Sequence, residues 1–160
     1  MSALKSKSLS SEELPFRFSL HLRHPSIDPE EVSRELKLPA LESFKAGAPR
    51  TSRSGIAAAA VHGETCWAAI IDPLTWSPPT PSPEGSFTLG WALGFICACL
   101  HKRHKEFLHR LSAQGGSATL LVAYSTAALN GLRLQPDMAR QISDLGLTIK
   151  FELTDIGDLL

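Results

Sequence analysis

The sequence is short of almost everything that marks a specialised chain. Lysine plus arginine equals aspartate plus glutamate at 16 each. No net field therefore draws in nucleic acid or an anionic membrane, and partners must be chosen by local patches. Cysteine is scarce: Cys66, Cys97 and Cys99, an odd number without paired spacing. That excludes a disulfide framework of the secreted kind and leads us to expect a reducing, cytoplasmic compartment. On a helix Cys97 and Cys99 point about 200° apart, poorly placed to bridge each other. The patterns G-x-S-x-G, H-E-x-x-H, G-x-x-x-x-G-K and G-x-G-x-x-G are all missing, so no catalytic residues can be assigned from motifs. No apolar run is long enough to span a bilayer. The stretch that tests this, Phe87 to Leu100, holds 14 residues without a charge. As a helix it reaches about 21 Å against a hydrocarbon core of ~30 Å, so a buried core helix is expected. Met1 to Leu14 carries Lys5 and Lys7 with no apolar run behind them, and no secretory signal is expected there.

What is present is ordinary globular material: 160 residues, 43% hydrophobic and 20% charged. A chain of this size buries close to ~70% of its unfolded surface and needs no metal or disulfide to fold. We expect a flexible segment over 1–14, one domain over 15–154 and an acidic tail over 155–160. Phe16, Phe18, Leu20 and Leu22 alternate with Arg17, Ser19, His21 and Arg23, the period of a strand with one wet face. Asp28, Pro29 and Glu31 form a helix opener with a capping-box acid, and the helix runs to about Leu36. Leu41 to Ser54 is a polar loop. Ile56 to Val61 and Cys66 to Ile71, joined by His62-Gly63-Glu64, predict a hairpin, although Ala57–Ala60 has weak strand propensity. A proline-rich loop occupies 72–86. From Leu89 to Ala113 the stripe Leu89, Leu93, Ile96, Leu100, Phe107 and Leu111 predicts a helix, closed by Gln114-Gly115-Gly116. Ala118 to Tyr124 is a continuous apolar strand, expected to be central. After a turn at Asn130-Gly131, Pro136-Asp137 opens a short helix with Met138, Ile142 and Leu145 inward. Leu147, Ile149, Phe151 and Leu153 then form a one-sided last strand.

The expected order is β-α-β-β-α-β-α-β. This is an α+β fold with a mainly antiparallel sheet, helices on one face, and a ferredoxin-like core with an added αβ unit. Several segments resemble the bacterial domain-of-unknown-function 4279 family: FRFSLHLR with SIDPEEVSRELKLPA, the step Lys45-Ala46-Gly47, Trp67, HRLSAQGGSATLLVAY and LQPDMARQISDLGLTIKFEL. They span roughly Phe16 to Leu153. The resemblance implies a small stand-alone bacterial α+β protein and supplies no catalytic residues. It also implies a break near His101–Lys105 that divides the long helix in two. The proline-rich loop departs from the family pattern.

The sharpest candidate cluster is Cys97, His101 and His104, spaced i, i+4 and i+7, which puts a thiol and two imidazoles on one helix face as zinc ligands. Against it stand the lack of a second Cys/His cluster and the frequency of buried free cysteine in cores. The basic run His101 to Lys105, with His109 and Arg110, is a candidate for phosphate contact, though such runs are usually solvated helix faces. Arg17, His21, Arg23, Lys102, Arg103 and Lys105 are the candidate binding surface. Pro78-x-x-Pro81 has minimal polyproline-ligand spacing, which a plain connecting loop explains as well. The tryptophans are expected to anchor the core. No cofactor follows from these patterns. The leading expectation is a non-catalytic module that binds a protein partner, of an immunity or regulatory type. A metal-dependent or small-molecule enzyme at Cys97–His104 and nucleic-acid contact through 101–110 are the alternatives.

Overall fold

Strand β1 (Phe16–His24) carries the alternation seen in the sequence: Phe16, Phe18, Leu20, Leu22 and His24 are buried, while His21 and Arg23 are exposed. The structure is a computed structural model and describes residues 14–51, 57–76, 88–128 and 132–154. Residues 1–13 of the expected flexible segment, most of the proline-rich loop with Pro78-x-x-Pro81, the Asn130-Gly131 turn and the acidic tail lie outside the described residues, while Leu14, expected to be flexible, is buried in the core.

β1 sits in the middle of a five-stranded sheet. It pairs antiparallel with β5 (Thr65–Ile71) on one side and with β6 (Ser117–Tyr124) on the other. β2 (Glu42–Phe44) adds to β5 antiparallel and β7 (Leu147–Leu153) adds to β6 parallel, giving the order β2-β5-β1-β6-β7. The fold is thus α+β with a mostly antiparallel sheet. β5 and β6 flank β1 and run opposite to it, so the helix between them, α2 (Leu89–Ala113), makes a crossover that skips one strand. The helix α1 (Pro29–Leu36) does the same between β1 and β2. Both crossovers are consistent with the ferredoxin-like core. The parallel β7, reached through α3 (Pro136–Asp144), is the added αβ unit.

The helices touch one another, α1 with α2 and α2 with α3, and cover a single face of the sheet. Asp28 caps α1, accepting from the Glu30 amide at 3.0 Å, with Pro29 behind it as expected. Trp67 of β5 is buried, and its indole Nε1 donates to Ser33 Oγ of α1 at 2.9 Å, which ties that helix to the sheet. On α2 the whole expected stripe is buried, and His104 fills the gap between Leu100 and Phe107. α3 packs where α2 has its small residues: a Cβ on Gly94 would stand 3.2 Å from Met138 Cε. α2 ends at Ala113, and the turn after it passes so close that a Cβ on Gly116 would meet Leu111 Cδ2 at 2.6 Å and the Leu111 carbonyl oxygen at 2.8 Å.

Three expectations are corrected. The resemblance implied a break in the long helix, but α2 is continuous from Leu89 to Ala113 because His104 keeps the buried stripe unbroken through the basic run. The stretch 56–71 is not a hairpin. Both edges of β5 are taken by β1 and β2, so β4 (Ala57–Val61) pairs instead with β3 (Pro49–Thr51) in a separate two-stranded ribbon. Leu41 to Ser54 is therefore not all loop, since it supplies β2 and β3. The step Lys45-Ala46-Gly47 shapes the link between them. Lys45 Nζ pairs with Asp28 at 2.6 Å, the Ala46 amide donates to Thr65 Oγ1 at 3.0 Å, and Gly47 takes φ +81°.

The two faces of the sheet make a direct stability test. Leu120→Ala, fully buried on β6, is expected to lower unfolding free energy by about 2–5 kcal/mol in urea titrations. Leu121→Ala, on the opposite face of the same strand, should lose less than about 1 kcal/mol.

Candidate functional site

The sequence placed its sharpest chemistry on the middle of α2. There the cationic and ligand-type residues hold helices together. Cys97 is fully buried among apolar side chains, and burial pushes its thiol up to about 11. His101 Nε2 meets the Asp144 carboxylate at 2.6 Å, and Lys105 Nζ donates to the same oxygen. His109 Nε2 donates to the Asp144 backbone carbonyl, so three side chains of α2 converge on the last residue of α3. The Lys105 and His101 hydrogen bonds hold the Asp144 carboxyl down at about 2. Arg110 reaches Glu31 and Glu35 of α1 at 3.9 and 3.7 Å and lies over the Phe107 ring.

His104 is buried and stacks on Trp76 with 5.8 Å between ring centres. Desolvation, helped by the neighbouring Arg103 charge, lowers its pKa, against the pull of Glu35. The ring is therefore neutral at neutral pH. It borders a cleft of about 400 Å³ shared with Glu35, Leu36, Lys37, Trp76 and Arg103. Cys97, His101 and His104 thus occupy three different environments: core, ion pair and aromatic stack. Among the described residues no group of three or more His, Cys, Asp or Glu is placed to hold a metal ion.

The open face of the sheet offers a different kind of place. β1 presents Arg17, Ser19, His21 and Arg23 there, and the pairing sets Cys66, Ala68 and Ile70 of β5 beside them. Glu42 and Phe44 of β2 continue the row beyond β5. The β3–β4 ribbon stands over this end. A groove of about 450 Å³ results, walled by His21, Arg23, Glu42, Phe44, Arg50 and Cys66, with His62 stacked on Phe44 at 4.5 Å between ring centres. His21 is hydrogen-bonded to Ser19 Oγ at 2.9 Å. The sheet beneath withdraws water from its ring and holds its pKa below the ordinary value, against the pull of Glu42. Arg23 pairs with Glu64 at 3.3 Å, both side chains well exposed.

The six expected surface residues therefore divide. His21 and Arg23 come together in the groove. Arg17 lies along the strand about 13 Å from His21 and about 20 Å from Arg23, at the rim of a smaller apolar pocket with Phe16, Ile70 and Pro73. Lys102, Arg103 and Lys105 are on α2, behind the sheet, and Lys105 is committed to Asp144. Sequence reasoning did not find Glu42, Phe44, His62 and Cys66 as neighbours. The available signal was one aromatic, Phe44, inside an otherwise polar loop. No protein-family model, curated protein or solved structure matches the chain. No helix among the described residues is long and apolar enough to cross a membrane.

The pairing at Asp144 predicts an acid response with a definite sign. A carboxyl held below its ordinary 3.8 adds stability above that value and loses it as pH falls toward about 2. Asp144→Asn should flatten the pH dependence of the urea midpoint in that window and leave the remainder of the profile in place. Thiol labelling of the folded protein should modify Cys66 and Cys99, both half-buried, well before Cys97. Labelling of all three at equal rates would contradict the core placement of Cys97.

Proposed function

We propose that the protein is a non-catalytic binding module, of an immunity or regulatory type, whose receiving surface is the open face of the sheet under the β3–β4 ribbon. The observation that carries this reading is the groove itself. It is a concavity walled by three strands and a ribbon, with an aromatic wall at Phe44 and His62 and two arginines, Arg23 and Arg50, on its lining. An extended protein segment carrying carboxylates has the matching chemistry. Its backbone fits a groove between strands, and a carboxylate can replace Glu64 on Arg23, since an exposed pair of this kind contributes only about 0–1 kcal/mol. The histidines are engaged locally, His21 with Ser19 and His62 with Phe44, which favours positioning over proton transfer. Kinship with the domain-of-unknown-function 4279 family belongs to the same proposal. It is supported by the framework places of Trp67 and of Lys45-Ala46-Gly47.

The full chain, immobilised and exposed to extract from its native host, is expected to retain one protein in stoichiometric amount. Arg23→Glu with Arg50→Glu should weaken that retention roughly tenfold or more, because charge reversal on the groove opposes the partner's carboxylates. Lys102→Glu with Arg103→Glu, on the helical side, should leave it unchanged. Recovery of no stoichiometric partner, or loss through the helical variant alone, would overturn the reading.

A further inference from the structure

We infer that the protein self-associates through the outer edge of β7, two copies joining their sheets into one across a two-fold axis. Among the described residues the sheet ends on one side with the short β2 of three residues and on the other with β7, seven residues long without proline or glycine. An edge of that length, unless covered or guarded, is a template for another strand. Its backbone polarity can be worked out. The Thr154 amide donates to the Tyr124 carbonyl at 2.9 Å, so in a regular strand the even-numbered amides face β6. The N–H and C=O groups of Leu147, Ile149, Phe151 and Leu153 then point to the outer edge. The same residues set their side chains on the helix side of the sheet, and these grow more exposed along the strand: Leu147 6%, Phe151 37%, Leu153 59%.

The occupant is chosen by the order of charges on the other side. β7 presents Thr148, Lys150 and Glu152 outward. A two-fold pairing must set like faces opposite each other, so its centre falls on a residue. Centring on Lys150 opposes two lysines, and centring on Glu152 opposes two glutamates. Centring on Phe151 sets each Lys150 against Glu152 of the second copy, twice over. The same register stacks Phe151 on its own copy and Ile149 against Leu153. Both faces are then complementary and the outward amides of 149, 151 and 153 are satisfied. Lys150 and Glu152 already lie 3.7 Å apart along the strand, so pairing exchanges a partner and leaves no charge newly unmatched. An antiparallel two-fold stands perpendicular to the sheet. Both open faces therefore look the same way, and neither groove is covered.

Sedimentation velocity of the full chain, from about 1 to about 200 µM, tests this because dimer population follows mass action. A species of twice the chain mass is expected to grow in over that range. Lys150→Glu alone and Glu152→Lys alone should each weaken association about tenfold, since two attractive pairs become repulsive. The double exchange should bring the affinity back. Leu153→Pro removes an outward amide without touching β6, and is expected to keep the fold while weakening the dimer. Unchanged far-ultraviolet circular dichroism identifies each variant as folded. A monomer throughout the range, a dimer indifferent to the single reversals, or a double variant that does not recover would each overturn the proposal.

Discussion

The inward row of β1 decides everything else in this fold. Phe18 and Leu20 are fully buried and Leu22 nearly so, each flanked by inward residues of both neighbouring strands. Side chains on a strand alternate with period two, so a slip of one residue would send these three into water and draw Arg17, His21 and Arg23 into the core. No arrangement of the helices could compensate for that. With the register fixed, the helices have one face to cover and the other is left wet. The groove follows from this division, because the ribbon of β3 and β4 has no place in the main sheet and comes to rest over the wet side.

The same row explains how much was legible in the sequence. Elements whose burial pattern is written locally were readable: β1 by alternation, α1 by Asp28 and Pro29, α3 by Pro136 and Gly146, and β6 by its continuous apolar run. Pairing was not readable where it depended on what else competes for an edge. Cys66 to Ile71 carries the signal of a strand, but which strand it joins is decided by β1 and β2 claiming both its edges. The alanines of β4 hold no side-chain information to say where they go. The groove inherits that limit. His21 and Arg23 were visible as a wet face, whereas Phe44, His62 and Cys66 join them only through the pairing of β2 with β5 and the return of the ribbon.

The middle of α2 teaches a related lesson about charge. His101 to Lys105 looks in sequence like a cluster offered to a ligand, because it is dense and follows an apolar run. Helical geometry scatters it. His104 falls on the buried stripe, His101 and Lys105 fall one turn apart toward α3, and Arg110 falls toward α1. A helix crossing between two others needs cations on both flanks if those neighbours present Asp144, Glu31 and Glu35. The run therefore has a structural reading that requires no outside phosphate, and the acids that supply it lie tens of residues away in sequence.

Put together, these constraints separate two surfaces that could otherwise have competed. The groove lies at the β2 end of the sheet, where the open face carries arginines and an aromatic wall. The self-complementary edge lies at the β7 end, where Phe151 and Leu153 are exposed. Three strands, β5, β1 and β6, stand between the two ends. A strand-edge dimer would extend the sheet outward from β7 and leave both β2 ends free. On the proposed reading, two grooves facing the same way at opposite ends of one continuous sheet would form a bivalent receiver. A partner with two acidic segments, or a partner that is itself a dimer, would be held more tightly than either groove alone permits, by an effective concentration that rigid sheet geometry sets.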